Sequence, residues 1–360
     1  MNHRPYLSLI TVSRNDDYGG PDAFSRMELA INSRLEQLEK HAIESELILV
    51  DWNPPKDKPL LYNAINWPKN LKYCTTRTII VPLDIHKKFK YHEKLEIIMI
   101  QALNCGIRCA RGEFILPSHS DLLYSDELIQ YISLKKLDRK KRYRVARSDV
   151  NREITKLTTL EEQLDFCRKN VIRVRDFKPK SKSFLDRFRT NLPHLFTSAS
   201  GDFQLMSRHY WHLLRGYYER YTVGAYVDSL LSYASHAAGV QEVILEPPMC
   251  LYHIDHDGQF IDRIVTHKLP LENWLKPSIL PERINKKTIS YYRRILLLMG
   301  YRPKSSVNGI PTLEYSYSRK ICRQMIMGKK SNILNNENWG LNNVRLEEHI
   351  INRANWDEKK

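Results

Sequence analysis

The chain has no CxxC pair. Its six cysteines, Cys74, Cys105, Cys109, Cys167, Cys250 and Cys322, lie scattered, which argues against a structural zinc site or a disulfide framework and fits a reducing cell interior. It also has no GxxxxGK[ST] and no GxGxxG, so no glycine-rich phosphate cradle is expected, and Gly19 and Gly20 after NDDY are read as a flexible first loop. No apolar run, RILLLMG at Arg294–Gly300 included, approaches the roughly 20 residues of a membrane span. The apolar part of the opening MNHRPYLSLITVSRND is too short for a signal peptide and reads as a first strand. Internal repeats and low-complexity tracts are absent as well. A cytoplasmic protein is expected, one that touches a membrane at most from its inner face.

What is plentiful is positive charge. Lys and Arg outnumber Asp and Glu 57 to 41 among 360 residues, a net charge of +16, while 42% hydrophobic and 27% charged residues are ordinary for a globular chain. The excess implies an anionic partner: nucleic acid, a phosphorylated small molecule or an acidic membrane surface. The length allows one large domain with an appendage or two modest domains.

The first third alternates strand and helix signals. LSLITVS (Leu7–Ser13), Glu46–Asp51, RTIIVPL (Arg77–Leu83) and EFILP read as strands, with helices over Ala23–Glu39 and Glu93–Ala110. Continuous apolar strands alternating with helices indicate an α/β fold, a mostly parallel sheet covered on both faces. In such a sheet the ligand crevice lies at the carboxyl ends of the strands. Here those ends are SRNDDYGG, VDWNPP and HSD, all rich in carboxylate and amide. Residues from about 135 to 190 form a basic, weakly periodic insertion, read either as a solvated, mobile segment or as a binding loop. A strand is expected through VILEPPMCLYHIDHDG, and a helical, basic extension over residues 269–360 follows a main domain at residues 1–268.

NCGIRCARGEFILPSHSD, Asn104 to Asp121, and ELILVDWNPP, from Glu46, resemble the GT-A glycosyltransferases of the inverting family-2 type. The likeness covers roughly Leu7 to Asp257. It implies a GT-A, Rossmann-like sheet and transfer of a sugar from a nucleotide-sugar donor to a hydroxyl of a glycan or lipid-linked acceptor, in polysaccharide or glycolipid assembly. In that family a strand ends in Asp-x-Asp; here Asp121 takes the second place and His119 stands in the first. Asp121 is thus implied to bind a divalent cation, Mn²⁺ or Mg²⁺, on the donor diphosphate, and imidazole at 119 suits Mn²⁺ better than Mg²⁺. Read otherwise, Asp121 caps the helix at SDELI, for which Ser125 and Asp126 are better placed. A late metal-binding histidine is implied in LYHIDH. His253 and His256 would point to opposite faces of an extended strand, so at most one is expected to serve, and His253 is chosen.

An inverting transfer needs a base opposite the leaving group. The resemblance assigns it to Asp228 in GAYVDSLL, although the family's Glu-Asp pair is here Ala225 and Tyr226; Asp202 in SGDF is the next candidate, and a helix-capping Asp228 is the plainer alternative. For the nucleotide and its phosphates, Arg14, Asp16, Asp51 and Asn53 at the ends of the first two strands, and Arg108 and Arg111 before the fourth, are expected to bind. The aromatics of HYWHLLRGYYERY are expected mainly in the core. Trp339 in ENWGL resembles an element that folds back over the active site. The run YYRRILLLMGY suits either a membrane surface or a packed helix. Two other readings stand beside the transferase: a nucleic-acid-binding protein, which the absence of any recognisable module argues against, and a non-catalytic protein of the same fold.

Overall fold

The computed structural model describes residues 4–177, 192–256, 265–266 and 304–357, with isolated positions between 288 and 299. Strand β1 (Leu7–Ser13), β2 (Ser45–Trp52), β3 (Cys74–Val81) and β4 (Phe114–Pro117) are the four runs expected. They lie parallel in the order β4-β1-β2-β3. Period-two alternation assigns their side chains to two cores. Leu7, Leu9, Leu47 and Leu49 face one apolar cluster, while Ile10, Val12, Ile48 and Val50 face the other. The first cluster is closed by helix α1 (Ala23–Lys40) through Met27, Ile31, Leu35 and Leu38. Helix α2 (Met99–Cys109) closes the second through Ala102, Leu103 and Ile107. Each fully buried aliphatic side chain contributes about 2 kcal/mol. Gly106 lets α2 lie close on the sheet, since a Cβ there would come within 2.3 Å of Ile10 Cγ2.

Prolines set several boundaries. Strand β3 stops at Val81, short of the expected Leu83, because Pro82 has no N–H to continue the ladder. The expected strand through VILEPPMCLYHIDHDG is two strands, Gln241–Ile244 and Cys250–Ile254, parted by Pro247 and Pro248. The second helix begins at Met99 rather than Glu93.

The basic stretch holds more order than a solvated, mobile segment would. In chain order, β5 (Leu122–Tyr124) and helix α3 (Asp126–Ser133) precede it, and within it come β6 (Lys141–Arg144), β7 (Ala146–Val150), helix α4 (Leu160–Lys169) and β8 (Val171–Arg175). Strand β9 (Leu205–Ser207), helix α5 (Arg208–Leu214), helix α6 (Val227–Ala237), β10 (Gln241–Ile244) and β11 (Cys250–Ile254) follow. Arg142 and Arg144 are buried because their guanidiniums find acceptors inside: Arg142 meets Glu242, Gln204 and Ser232, and Arg144 meets the carbonyls of Phe196, Ser198, Ser200 and Phe203. The remainder of that basic stretch, residues 178–191, lies outside the described residues.

The central sheet has eight strands in the order β10-β6-β9-β4-β1-β2-β3-β15, where β15 is Glu347–Asn352. Strand β9 runs antiparallel between β4 and β6, and β15 runs antiparallel to β3. A second sheet, β5-β11-β7-β8, carries most of the site described below. A third joins β12 (Val265–Thr266), β13 (Ser305–Val307) and β14 (Ile310–Thr312). The division expected at 268/269 lies outside the described residues. Beyond it, helix α7 (Tyr315–Ile326) is accompanied by β13, β14 and β15, and Leu313, Ile321, Met325 and Trp339 join the same core as α2. The run YYRRILLLMGY lies for the most part outside the described residues. Among the described residues no helix is long and apolar enough to cross a membrane.

Candidate active site

The opening of the site follows from where β4 stops. Ser118 N donates to Ile10 O at 2.8 Å, which keeps the chain beside β1 for one more residue. His119, Ser120 and Asp121 then turn it into β5, and that turn is held from below by α1. The buried Arg34 guanidinium donates to His119 O at 2.6 Å and to Leu122 O at 2.5 and 2.8 Å, and Gln37 Nε2 donates to Tyr124 O at 2.9 Å. Helix α3 is capped by Ser125, whose hydroxyl accepts from Leu128 N, so Asp121 is not its cap.

Strand β11 lies between β5 and β7, pairing His253 with Leu122 on one side and with Asp149 on the other. This register brings His253 Nε2 to 3.5 Å from Asp121 Oδ2. His256 Nε2 stands 3.2 Å from the same oxygen. Both imidazoles therefore meet Asp121, against the expectation that at most one would. Strand β11 ends at Ile254, and the alternation that separates His253 from His256 no longer holds beyond it.

Asp121, His253 and His256 present one oxygen and two nitrogens, all within 4.8 Å of one another. One hard carboxylate and two imidazoles fit Mn²⁺ better than Mg²⁺. His253 Nδ1 lies 3.2 Å from Asp149 Oδ1 and 2.9 Å from Arg147 Nη2. With a cation bound, a proton on Nδ1 shared with Asp149 would leave Nε2 free to ligate, the arrangement by which an outer carboxylate orients a metal-binding histidine; Arg147 Nη2, which can only donate, then touches Nδ1 without a hydrogen bond to it. Burial alone would lower the His253 imidazole, but Asp121 and Asp149 push it up to about 9. Burial likewise works to raise Asp121, yet His253, His256 and His119 hold it well below the ordinary carboxylate range.

The same network reaches Asp202, and Asp228 lies across the Gly201 backbone from His119. Arg147 Nη1 donates to Asp202 Oδ2 at 2.8 Å, and His119 Nε2 is 3.7 Å from Asp202 Oδ1. Asp228 Oδ2 accepts from Ser200 Oγ at 2.6 Å and Oδ1 from Ser229 N at 2.8 Å. A Cβ built on Gly201 would stand 3.7 Å from both Asp228 Oδ2 and His119 Nε2, so only a thin backbone separates them. Arg144 fixes this loop through its bonds to the carbonyls around it.

No family model matches the chain, and no curated protein matches it. Solved structures do. One is S. aureus TarS, 12% identical over 80% of this chain and 42% of that chain, with a TM-score of 0.41. Another is GalNAc-T7 with UDP, GalNAc and Mn²⁺, 14% identical over 76% of this chain and 48% of that one, with a TM-score of 0.46. TarS 1–349 in complex with UDP-GlcNAc is 11% identical over 80% of this chain and 71% of that one, with a TM-score of 0.42. The chain spans less than half the length of the first two.

The residues expected to hold a nucleotide divide into two groups. Arg14, Asp16, Asp51 and Asn53 gather at the carboxyl ends of β1 and β2. Arg14 Nε is 2.5 Å from Asp16 Oδ2, and both Arg14 and Asn53 Nδ2 donate to Glu96 O, at 3.2 and 3.3 Å. Asp51 is buried, however. Its Oδ2 accepts from Leu61 N at 2.9 Å while Oδ1 has no hydrogen-bond partner among the described residues. Arg108 and Arg111 are elsewhere, because α2 runs back across the sheet and delivers them to the amino edge. Arg108 donates to Trp339 O at 3.3 Å and covers its ring, while Arg111 N donates to Glu46 at the start of β2 and its guanidinium is 3.6 Å from Glu348. Trp339 packs on α2 beside Arg108 and His212, none of them residues of this site. Trp211 and Tyr217 fill the core.

Arg34, Arg147 and Asp149 went unread in the sequence. The one signal they left is a charge on the buried side of an otherwise core-forming element, as in RVARSDV and SRLEQL.

Asp51 supplies a prediction. Desolvation raises its carboxyl to about 6, against the bond from Leu61 N and the charge of Arg14. A folded value above the unfolded one means the stability is present below pH about 4 and lost as pH rises through about 6. Asn keeps the bond to Leu61 N without a charge to bury. The stability advantage of Asp51→Asn over the wild type is thus expected to grow by about 2 kcal/mol between pH 4.5 and 7.5, measured by urea unfolding at the two pH values.

Proposed function

We propose that this protein is a GT-A-type glycosyltransferase that moves a sugar from a nucleotide-sugar donor to an acceptor hydroxyl. The observation that carries the reading is the convergence of Asp121, His253 and His256 with Asp202 and Asp228 beyond the carboxyl end of β4, while Arg14 and Asn53 follow the carboxyl ends of β1, its neighbour, and of β2. Cleaving a nucleotide-sugar bond leaves a diphosphate whose developing charge must be neutralised. Asp121, His253 and His256 would hold a divalent cation, most suitably Mn²⁺, which when bound supplies Lewis-acid stabilisation of that diphosphate.

The remaining tasks fall to the chain itself. Asp149 holds the His253 tautomer, and Arg34 fixes the turn that carries His119 and Asp121. Asp228 is the better candidate base: both its oxygens accept from neutral donors, whereas Asp202 is held in an ion pair with the Arg147 guanidinium. His119 borders the space between Asp202 and Asp228, where a sugar or phosphate oxygen would come within its reach. Arg14 and Asn53 offer donors to the nucleotide; Asp51 contributes directly only if the Leu61 segment opens. The acceptor is a glycan or a lipid-linked sugar, and assembly of surface polysaccharide or glycolipid at the inner face of a membrane suits a strongly basic chain.

Binding to the native state raises the melting temperature by mass action. Among UDP, GDP, CMP and their sugar conjugates, one nucleotide is expected to raise it with Mn²⁺ and not with EDTA. At 100 times Kd the gain is about 2.7 kcal/mol, several degrees for a chain of this size. A shift equal in EDTA would transfer phosphate neutralisation to Arg14 and His119. Silence across the whole panel, with steeply salt-dependent polynucleotide binding, would instead favour the nucleic-acid reading.

A further inference from the structure

The start of α6 carries more than Asp228. Tyr226, two residues earlier, caps the helix with φ 59, a left-handed backbone that a bulky residue adopts only at a cost. Strain of this kind persists where the surroundings enforce it, and it clusters at ligand sites. The surroundings here come from the C-terminal part of the chain. Val223 bridges to Thr312, whose hydroxyl donates to Val223 O at 3.2 Å, and Leu313 enters the same core as α2. Helix α7 starts directly after, capped by Glu314, which accepts from Tyr317 N at 2.9 Å. Its first residue, Tyr315, meets Tyr226 with ring centroids 5.4 Å apart and planes inclined at 59°. Tyr315 is 57% exposed and Tyr226 is half-buried, so the two rings make an aromatic corner open to solvent. Burial, then the neighbouring Glu314, Tyr315 and Asp228, push the Tyr226 hydroxyl up, which places that ring within the field of the candidate base.

We propose that Tyr226 and Tyr315 form the platform on which a sugar ring of the acceptor lies, an inference that rests on the transferase reading above. A pyranose has an apolar C–H face and a polar rim, and a tyrosine answers both with an apolar body and a polar tip. The base takes its proton from the attacking hydroxyl, so side chains that flank Asp228 flank the acceptor. The groups offered to the nucleotide, Arg14 and Asn53, follow β1 and β2 instead. An open-chain polyol or a bare phosphate has no flat C–H face to lay on the rings. The acceptor class is therefore a glycoside ending in a pyranose, and α7 belongs to the acceptor side of the site.

The test uses methyl glucopyranoside, methyl galactopyranoside and methyl N-acetylglucosaminide as probes, with sorbitol as the open-chain control. Each is added to the full chain without nucleotide or cation and read by saturation-transfer NMR. At least one glycoside is expected to take saturation at its ring C–H protons, and sorbitol none. Tyr315→Ala, at an exposed helix position that alanine suits, is expected to weaken that binding at least about tenfold, and Tyr315→Trp to keep it. Tyr226→Asn removes the other ring with a residue that tolerates left-handed backbone and caps helices, and it is expected to weaken binding likewise. UDP, GDP and CMP with Mg²⁺ are expected to leave the glycoside bound. Failure of every glycoside to bind, equal binding of sorbitol, or unchanged affinity in both folded variants overturns the platform. Displacement by a nucleotide also overturns it and gives the rings to the donor's base, which can stack on them too. A chain that binds a glycoside through Tyr315 and no nucleotide keeps the platform while the transferase reading falls; one that binds a nucleotide with Mn²⁺ and no glycoside loses the platform alone.

Discussion

Asp121→Asn is expected to abolish the Mn²⁺-dependent stabilisation by nucleotide and to lower turnover at least about 10³-fold, about 4 kcal/mol of transition-state stabilisation. The size follows from the donor set. Asp121 is its one carboxylate, and both histidines are oriented toward it, at 3.5 and 3.2 Å. The amide keeps shape and one oxygen but loses the charge that draws a hard cation. A pH measurement adds an independent check. With His253 pushed up to about 9, its contribution to the stability of the cation-free protein is complete below pH about 6.5 and lost as pH rises through about 9. A cation must displace that proton, so apparent Mn²⁺ affinity should rise about tenfold per pH unit from 7 toward 9. In Asp121→Asn the main cause of the raised value is gone, and the slope should flatten at a lower pH. Equal turnover of Asp121→Asn and wild type, with full nucleotide binding in EDTA, would remove the cation from the proposed mechanism.

The strands that frame the site were legible because their information is local. LSLITVS, the run around Glu46–Asp51 and EFILP are continuous apolar runs, and each becomes a buried parallel strand. The polar residues at their ends were legible for the same reason. What the sequence does not display is register. Asp149 becomes the partner of His253 only because β7 lies parallel beside β11, and the two residues are brought together by a pairing between distant parts of the chain. Direction was also hidden: Arg108 and Arg111 sit within the segment that resembles the donor-binding motif, yet a helix returning across the sheet ends at the amino edge, where Arg111 meets Glu46. Asp51 shows the opposite failure. A carboxylate at a strand's end reads as ligand-facing, but the Leu61 segment folds over it. His256 was discounted by an alternation rule that requires a strand, and the strand had already ended.

Asp228→Asn separates the two roles open to that residue. As a general base it should matter in the transition state alone, so kcat is expected to fall between about 10² and 10⁴-fold with the donor-induced thermal shift unchanged. As a helix-start residue it would matter for folding. Helix α6 has Tyr226 at its cap without a side-chain bond, and Asp228 contributes an acceptor to Ser229 N within the first turn. Losing that charge near a helix N-terminus costs about 1 kcal/mol at most. The amide substitution keeps much of this geometry: its oxygen can still accept from Ser229 N, and its NH₂ can donate to Ser200 Oγ after the hydroxyl turns. Activity within tenfold of wild type, together with a lowered melting temperature, would assign Asp228 to the helix and pass the base to Asp202. Asp202→Asn should look different from the outset. It leaves Arg147 with one carboxylate partner instead of two and loosens His119 as well, so its effect is expected in stability and in binding together, whereas a pure loss of kcat is the signature reserved for Asp228.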